Sequence, residues 1–316
     1  MQTQNQYFKS IFRGFIISSF FQSNAFAENG MLDWKPQLVL KISPRAETFK
    51  QTYITETPAL LEKNSAESIS FYSNSTDFMA ILPLKEDFLF GPTFLYSNTA
   101  LRYKSPAIPN AEKSVQLIKG GLDVTAIKIL DEENFVLGQY NVTFANTKSL
   151  SFKSPKGQSG LVQWVHAFDA DSCIGLGGVL YKSNGKMGAL PLLGFGWRPV
   201  PEIQIDGWLP SFVFGTWHLT DSFFLLSRAN ALSDNYSSED NSLFQPQNQI
   251  NSNINITEYR ITSGFGISFW GPLQLEVAVG TAVGRKIAAT NAETNNVVSQ
   301  KIKSPVLTRI QFNMKL

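Results

Sequence analysis

The C-terminal segment alternates between apolar and polar side chains over its whole length. One set of alternate positions is Val306, Thr308, Ile310, Phe312, Met314 and Leu316, and the other is Leu307, Arg309, Gln311, Asn313 and Lys315. Two residues is the period of a β-strand, in which successive side chains point to opposite faces. The segment therefore predicts a strand with one apolar and one polar face.

Two earlier segments show the same pattern. Their apolar sets are Leu273, Leu275, Val277, Val279, Thr281 and Val283, and Tyr259, Ile261, Phe265, Ile267 and Phe269. The positions between them are mostly small or polar. In a soluble β-sandwich the apolar face would form the core, whereas in a membrane barrel it would contact lipid and the polar face would line the lumen. Periodicity alone leaves both open, and the bulky outer aromatic side chains favour the barrel.

Composition narrows the choice of fold. Only 16% of the residues are charged, 13% are aromatic, and the mean hydropathy is -0.08. A helical membrane bundle would raise the hydropathy strongly, and disordered chains lack aromatic residues. The formal net charge of +2 gives no concentrated basic face of the kind that binds nucleic acid, so no nucleic-acid partner is expected.

Residues 1–27 have the features of a signal peptide. Lys9 and Arg13 precede the apolar run 14–21, and Ala25-Phe26-Ala27 matches a cleavage site. An N-terminal helix of a soluble protein is the alternative. We therefore expect two regions, a signal peptide at 1–27 and an outer-membrane barrel domain at 28–316. Because no later apolar segment reaches the length of a membrane helix, a membrane-embedded chain would have to form a closed barrel.

The predicted fold is all-β, an antiparallel transmembrane β-barrel of about 12 to 14 strands. Besides the three segments above, the candidate strands are Gln37–Ser43, Asp77–Leu84, Phe88–Leu101, Gly120–Leu130, Asn134–Asn146, Leu161–Phe168, Ser172–Lys182, Met187–Trp197, Ile203–Leu209, Ser211–Leu219 and Ser222–Ser233. Short turns alternate with longer polar connections at 44–76, 102–119, 147–160, 234–256 and 289–304. With both chain ends in the periplasm, the long connections fall mainly on the outer side.

One stretch resembles a known family. Residues 190–201 read LPLLGFGWRPVP, residues 205–210 read IDGWLP, and residues 280–286 read GTAVGRK. These segments resemble an uncharacterised bacterial outer-membrane β-barrel family with a porin-like architecture. The resemblance implies a fold and a location, and it implies no activity.

The sequence contains no catalytic constellation, and we expect no enzyme. His166 and His218 are the two histidines, and neither accompanies a G-x-S-x-G, H-E-x-x-H or C-x-x-C motif. The single Cys173 cannot form an internal disulfide bond. We therefore predict no catalytic residue, no cofactor and no metal.

The polar faces of the C-terminal strands are the best candidate functional surface. By parity the lumen-lining candidates are Arg260, Gln274, Glu276, Arg309, Gln311, Asn313 and Lys315. Such a ring of mixed charge would tune the selectivity of a passive pore for small hydrophilic solutes. The same residues could instead form a salt-bridged plug in a structural or surface-interaction barrel that acts through its loops.

Arg285 has outward parity near the outer end of its strand, so it is a candidate lipid-headgroup contact or a simple rim charge. The expected partners are outer-membrane lipids, including lipopolysaccharide, and the machinery that assembles such barrels.

Overall fold

A computed structural model of the chain describes residues 48–62, 66–85, 87–104, 112–150, 152, 155–183, 186–238, 251–269 and 273–315. The expected signal peptide and the candidate strand Gln37–Ser43 lie outside these residues. No helix within the described ranges is long and apolar enough to cross a lipid bilayer.

The described residues form one sheet of 17 strands. In chain order the strands are β1 (Thr48–Glu56), β2 (Ala59–Leu60), β3 (Ser68–Met79), β4 (Leu82–Lys85), β5 (Phe88–Lys104), β6 (Glu112–Ile129), β7 (Asn134–Asn146), β8 (Gly157–Ala167), β9 (Ser172–Ser183), β10 (Lys186–Val200), β11 (Ile203–Leu209), β12 (Phe212–His218), β13 (Phe223–Ser237), β14 (Asn251–Phe269), β15 (Leu273–Asn291), β16 (Val297–Lys301) and β17 (Val306–Lys315).

The sheet closes on itself. β1 pairs with β3 on one side and with β17 on the other, where Thr48 faces Lys315 and Glu56 faces Leu307. The short strands β2, β4 and β16 extend their neighbours, which leaves a closed antiparallel barrel of 14 strands. The predicted all-β barrel and its upper strand count are therefore confirmed.

Tight turns gather at the end of the barrel that holds Thr48 and Lys315. They join β6 to β7, β8 to β9, β10 to β11 and β12 to β13, whereas the long connections of the chain leave the opposite end. We call these the short-turn end and the long-loop end. In the turn after β6, Asp131 accepts hydrogen bonds from the backbone N–H of Glu133 and Asn134 at 2.9 and 2.8 Å. The side-chain amide of Asn134, followed by the Glu133 N–H, lowers the pKa of Asp131 below its ordinary value.

The outer surface of the barrel is apolar. Exposed apolar side chains occupy alternate positions on neighbouring strands, including Tyr140, Val162, Leu180, Ile261 and Val279. Near the short-turn end exposed aromatic residues accumulate, among them Trp164, Phe168, Trp197, Trp217 and Phe269. An apolar band with aromatic residues at its margin is the exterior expected of a barrel surrounded by lipid.

The predicted loop 44–76 is wrong. It contains β1, β2 and most of β3. The inner positions of β1 include Lys50 and Glu56, and those of β3 include Ser73 and Asp77. The alternate positions add polar Gln51, Asn74 and Thr76, so neither strand shows a clear alternation of apolar and polar residues. Because of these polar residues, the segment looked like a polar loop in the sequence. The other predicted long connections are shortened, because β5, β6, β8, β13 and β14 extend into them.

Replacing a lipid-facing residue should test the exterior directly. Val162 is 63% exposed on β8, and Val297 is 62% exposed where β16 begins at the long-loop end. We expect Val162→Arg to lower the free energy of unfolding in lipid vesicles by about 2–4 kcal/mol and Val297→Arg by about 0–1 kcal/mol. Denaturant titrations measure both, and equal losses at the two sites would contradict the assignment of the apolar belt.

Candidate functional site

The barrel lumen is filled by side chains and has a polar middle layer. Its members are polar or charged, lie on the inner face and are almost completely buried; they include Lys50, Thr52, Asp77, Thr93, Asp123, Thr125, Gln139, Asn141, Gln163, Asp206, Arg228, Thr262, Glu276 and Gln311. In a globular protein this position would belong to an apolar core. A polar interior behind an apolar exterior is the arrangement of a membrane barrel.

Two apolar clusters lie on either side of this layer. At the long-loop end Leu61, Phe71, Leu117, Tyr236 and Ile287 belong to one cluster drawn from strands around the lumen. The second cluster lies on the inner faces of strands between β3 and β12. It begins at the short-turn ends of β3 and β5 and reaches the long-loop ends of β11 and β12. Together the two clusters narrow the path along the barrel axis.

A cavity of about 100 Å³ remains inside the barrel. Hydroxyl groups dominate one side of it, from Thr52, Ser73, Ser75, Ser97 and Thr99 on β1, β3 and β5. Charged side chains from β6, β13, β14 and β17 also reach it. The space is large enough for several water molecules, and its lining offers them hydrogen-bonding partners.

Opposite walls meet across the lumen through ion pairs. Lys119 on β6 lies 2.9 Å from Asp234 on β13, although these strands are not neighbours in the sheet. Close to this contact the end of β7 touches β13, where the Thr147 N–H donates to the Ser237 carbonyl at 3.0 Å. The long-loop end of the barrel is therefore drawn together where β7 meets β13, across β8–β12, of which β11 and β12 have only 7 residues each.

Two further ion pairs lie in the polar layer. Arg228 lies 2.8 Å from Glu276, and its guanidinium stacks over the ring of Phe214 at 4.7 Å. Lys50 lies 3.8 Å from Asp77 on the adjacent strand. Because a charge buried without a partner is costly, such pairing is what allows charges in this layer.

A β-bulge at Gly284 changes which face of β15 points inward. Gly284 has a φ of 65°, a left-handed conformation that glycine adopts without strain. Opposite it the register shifts between Thr257 and Tyr259 on β14, so that two residues of β15 face one residue of β14. Even-numbered residues up to Ala282 point inward, and beyond the bulge the odd-numbered ones do, beginning with Arg285.

The expected outward direction of Arg285 is therefore wrong. Its side chain is fully buried and bonds to Glu56 on β1 and to Glu258 on β14. Its guanidinium also lies over the ring of Phe71 on β3, 4.3 Å from the centroid. Arg285 thus joins four strands around the closure of the barrel, and it is not available to a lipid headgroup.

The predicted inner residues on β14 and β17 lie around the cavity. Arg260 and Arg309 both line it; Arg260 donates to Glu258, and Arg309 donates to Gln311. Gln311 is fully buried and also accepts a hydrogen bond from Thr52 on β1 at 3.3 Å.

The other predicted residues form a chain of hydrogen bonds towards the short-turn end. Gln311 donates to Asn313 at 2.7 Å, and the Asn313 amide lies 3.0 Å from Gln274 and 3.1 Å from Glu276. Lys315 ends β17, and its side chain lies outside the described residues.

Sequence reasoning missed the inner residues of the N-terminal half of the barrel. On β7 the inner positions Phe135, Leu137, Gln139 and Asn141 alternate with outer positions that are themselves mixed. Parity gives no answer where both faces carry apolar residues. Glu56 was hidden because it lies in the segment predicted to be a loop.

The histidines lie at the edge of the barrel wall. His166 stacks on Trp164 and contacts Asn134, with its Nδ1 3.1 Å from the Asn134 Oδ1. His218 packs against Phe224 at the start of β13. No group of three or more His, Cys, Asp or Glu side chains that could hold a metal ion occurs within the described part of the chain.

Comparisons with known proteins give distant likenesses only. No family model matches the chain, and no curated protein matches it. Among solved structures, an outer-membrane channel from Pseudomonas putida F1 is 10% identical, with 86% of this chain and 97% of that one covered and a TM-score of 0.47. The toluene transporter TodX of Pseudomonas putida is 9% identical, with 92% and 94% covered and a TM-score of 0.44.

The translocator domain of the autotransporter NalP from Neisseria meningitidis is 8% identical, with 95% and 100% covered and a TM-score of 0.36. Likenesses of this size assign no activity to the chain.

The Arg285 contacts should dominate the stability of the closed barrel. Removing the guanidinium leaves Glu56 buried without its cation and Glu258 with Arg260 alone, so we expect Arg285→Met to lower the free energy of unfolding by about 3–5 kcal/mol. Lys286→Met, at the exposed neighbouring position, should change it by less than about 0.5 kcal/mol. Adding Glu56→Gln to Arg285→Met removes the unpaired charge and should recover part of the loss, and no recovery in denaturant titrations would contradict this account.

Proposed function

We propose that the chain is an integral outer-membrane β-barrel that lets small hydrophilic solutes pass through its lumen. The observation that carries this proposal is the polar cavity enclosed by a closed wall with an apolar exterior. A barrel of 14 strands encloses more space than one of about 8, in which side chains alone fill the interior. Because side chains fill the lumen, passage requires some of them to move aside.

Export and insertion follow from the same proposal. The segment 1–27 would direct the chain across the inner membrane and be removed, and the barrel-assembly machinery would insert the remainder. Lipids of the outer membrane, including lipopolysaccharide, would then contact the apolar belt.

The cavity sets the size of solute that fits. Its volume of about 100 Å³ accommodates molecules of a few non-hydrogen atoms. The apolar clusters on either side would have to rearrange for anything larger. The proposed pathway therefore carries small solutes and excludes oligosaccharides and peptides.

A second function, a non-conducting barrel that acts through its loops, is favoured by the contacts across the lumen. Lys119 and Asp234 join non-neighbouring strands, and β7 touches β13 beside them. If these contacts never open, no solute passes and the remaining accessible surface is the loops. The two functions differ in a property that can be measured directly.

Proteoliposome swelling should distinguish the two functions. Vesicles containing the full-length chain should admit glycerol faster than protein-free vesicles and should exclude a trisaccharide such as raffinose. A glycerol rate equal to that of protein-free vesicles, from a chain that shows the heat-modifiable gel migration of a folded barrel, would contradict the pore and favour the non-conducting barrel.

The Lys119–Asp234 pair should restrict this flux. Replacing both partners, in Lys119→Met with Asp234→Leu, removes the cross-lumen contact without leaving one charge unpaired. We expect a several-fold increase in the glycerol rate. The matched control is Lys128→Met with Asp87→Asn, which removes an exposed pair at the short-turn end and should leave the rate unchanged. Equal rates in the two double variants would show that the pair does not control passage.

A further inference from the structure

An apolar groove crosses the outer wall of the barrel on β6–β10, and its volume is about 680 Å³. Tyr140 and Leu180 border it towards the long-loop end, and Val162 borders it towards the short-turn end. Four strand spacings give it a length of about 19 Å, close to the roughly 15 Å that one leaflet contributes to the hydrocarbon of a bilayer. Its floor consists of one small residue from each strand, namely Ala126, Gly138, Gly160, Gly178 and Ala189. We call it the outer groove.

The wall itself does not require the two central glycines of the outer groove. A Cβ atom added at Gly138 or Gly160 would lie 4.0 Å from the nearest backbone oxygen, and neither residue has a left-handed backbone. By contrast, a Cβ atom on Gly177 would lie 2.2 Å from the Val162 carbonyl oxygen. Glycine weakens the interior of a strand, and it often marks a place where another molecule approaches the backbone closely. The space above Gly138 and Gly160 is therefore available to an external molecule.

Two lysines lie beyond the outer groove towards the long-loop end. Lys182 is exposed, follows Leu180 by two residues on the outer face of β9, and faces the uncharged residues Gln158 and Met187. Lys156 precedes Gln158 by two residues and has the same outward parity. It is thus a diagonal neighbour of Lys182, and such neighbours are about 7–8 Å apart. One end of an apolar groove therefore carries two positive charges.

The height of Lys182 on the wall matches that of lipid headgroups. Phe168, which follows β8 and is 62% exposed, belongs to the aromatic margin near the short-turn end. Ten residues separate it from Gln158, opposite Lys182, which is about 33 Å along a strand. With a strand tilt of about 40° this is about 25 Å along the membrane normal, the height of the apolar band of such barrels. The outer groove, two to four residues below Lys182, lies in the long-loop half of that band.

We propose that the outer groove binds lipopolysaccharide, with an acyl chain along the small residues and a lipid phosphate between Lys182 and Lys156. Lysine is a common phosphate ligand, and lysines at a membrane surface attract anionic headgroups. Lipopolysaccharide carries phosphate groups on its lipid part, whereas phosphatidylethanolamine is neutral overall, so two adjacent lysines favour the former. This inference rests on the proposed outer-membrane location and not on passage of solutes through the lumen.

Native mass spectrometry of the full-length chain in detergent, titrated with lipid A, tests the inference. Lipid A is the phosphorylated and acylated part of lipopolysaccharide. The unaltered chain should retain one lipid A molecule and bind it at least about tenfold more tightly than phosphatidylethanolamine. Gly160→Leu fills the groove and Lys182→Met removes a charge, so each should weaken lipid A binding about tenfold.

Matched variants control for the two changes. Gly215→Leu makes the same replacement on the outer face of β12, where an added Cβ atom would also have room, 3.8 Å from the nearest backbone oxygen. Lys128→Met removes an exposed lysine at the short-turn end. Both variants should bind lipid A as the unaltered chain does. Lys182→Arg keeps the charge and should retain most of the affinity.

Thermal unfolding provides a second readout and shows whether each variant folds. Because Gly160 has room for a side chain, Gly160→Leu should not lower the unfolding midpoint in lipid-free detergent. A ligand that binds only the folded state raises the midpoint. Lipid A should therefore raise it for the unaltered chain and for Gly215→Leu, and should have little effect on Gly160→Leu.

The outcomes separate this site from other occupants and from the proposed pore. Equal lipid A affinity in all variants, or equal affinity for phosphatidylethanolamine, would overturn the site and leave only the lipid that surrounds any barrel. A dimer in lipid-free detergent that Gly160→Leu dissociates would assign the groove to a second copy of the chain instead. Absence of glycerol entry, with lipid A binding that Gly160→Leu weakens, would overturn the pore and leave this site in place.

Discussion

The structure depends on one constraint, which is that backbone N–H and C=O groups facing lipid must be hydrogen-bonded within the protein. A sheet meets this requirement only if it has no free edge. Here the first described strand, Thr48–Glu56, pairs with the last, Leu307–Lys315, along its whole length. The apolar exterior and the polar interior both follow, because a closed strand array gives each strand one face in lipid and one in the lumen.

The interior solves a second problem, since polar side chains enclosed by a wall must find partners there. Many of the charged ones do so in ion pairs, of which Lys119–Asp234 and Arg285–Glu56 join strands far apart in sequence. Uncharged ones such as Asn141 and Gln163 have no such partner among the described residues. Other uncharged side chains are bonded to one another, as Gln311 is to Asn313 and Asn313 to Gln274.

Sequence periodicity predicted the barrel and the gathering of most tight turns at one end. It also predicted which face of the last strand points inward, because Arg309, Gln311 and Asn313 alternate with apolar neighbours. It failed for Thr48–Glu56, whose inner Lys50 and Glu56 make the segment resemble a loop. It also failed at Arg285, because parity assumes an unbroken strand and the bulge at Gly284 shifts the count by one. The partners of inner residues depend on which strands meet across the lumen, which no local pattern encodes.

The position of Arg285 has a consequence for the order in which the molecule is completed. Its partner Glu56 belongs to the first strand of the ring, whereas Arg285 belongs to β15, separated from that strand by β17 at the closure. The two groups can meet only when the first and last strands are already side by side. Before β1 and β17 pair, Arg285 can already bond to Glu258 on the neighbouring β14, but Glu56 lacks the guanidinium that it bonds to in the closed barrel. The charge of Glu56 is therefore neutralised only by correct closure of the ring.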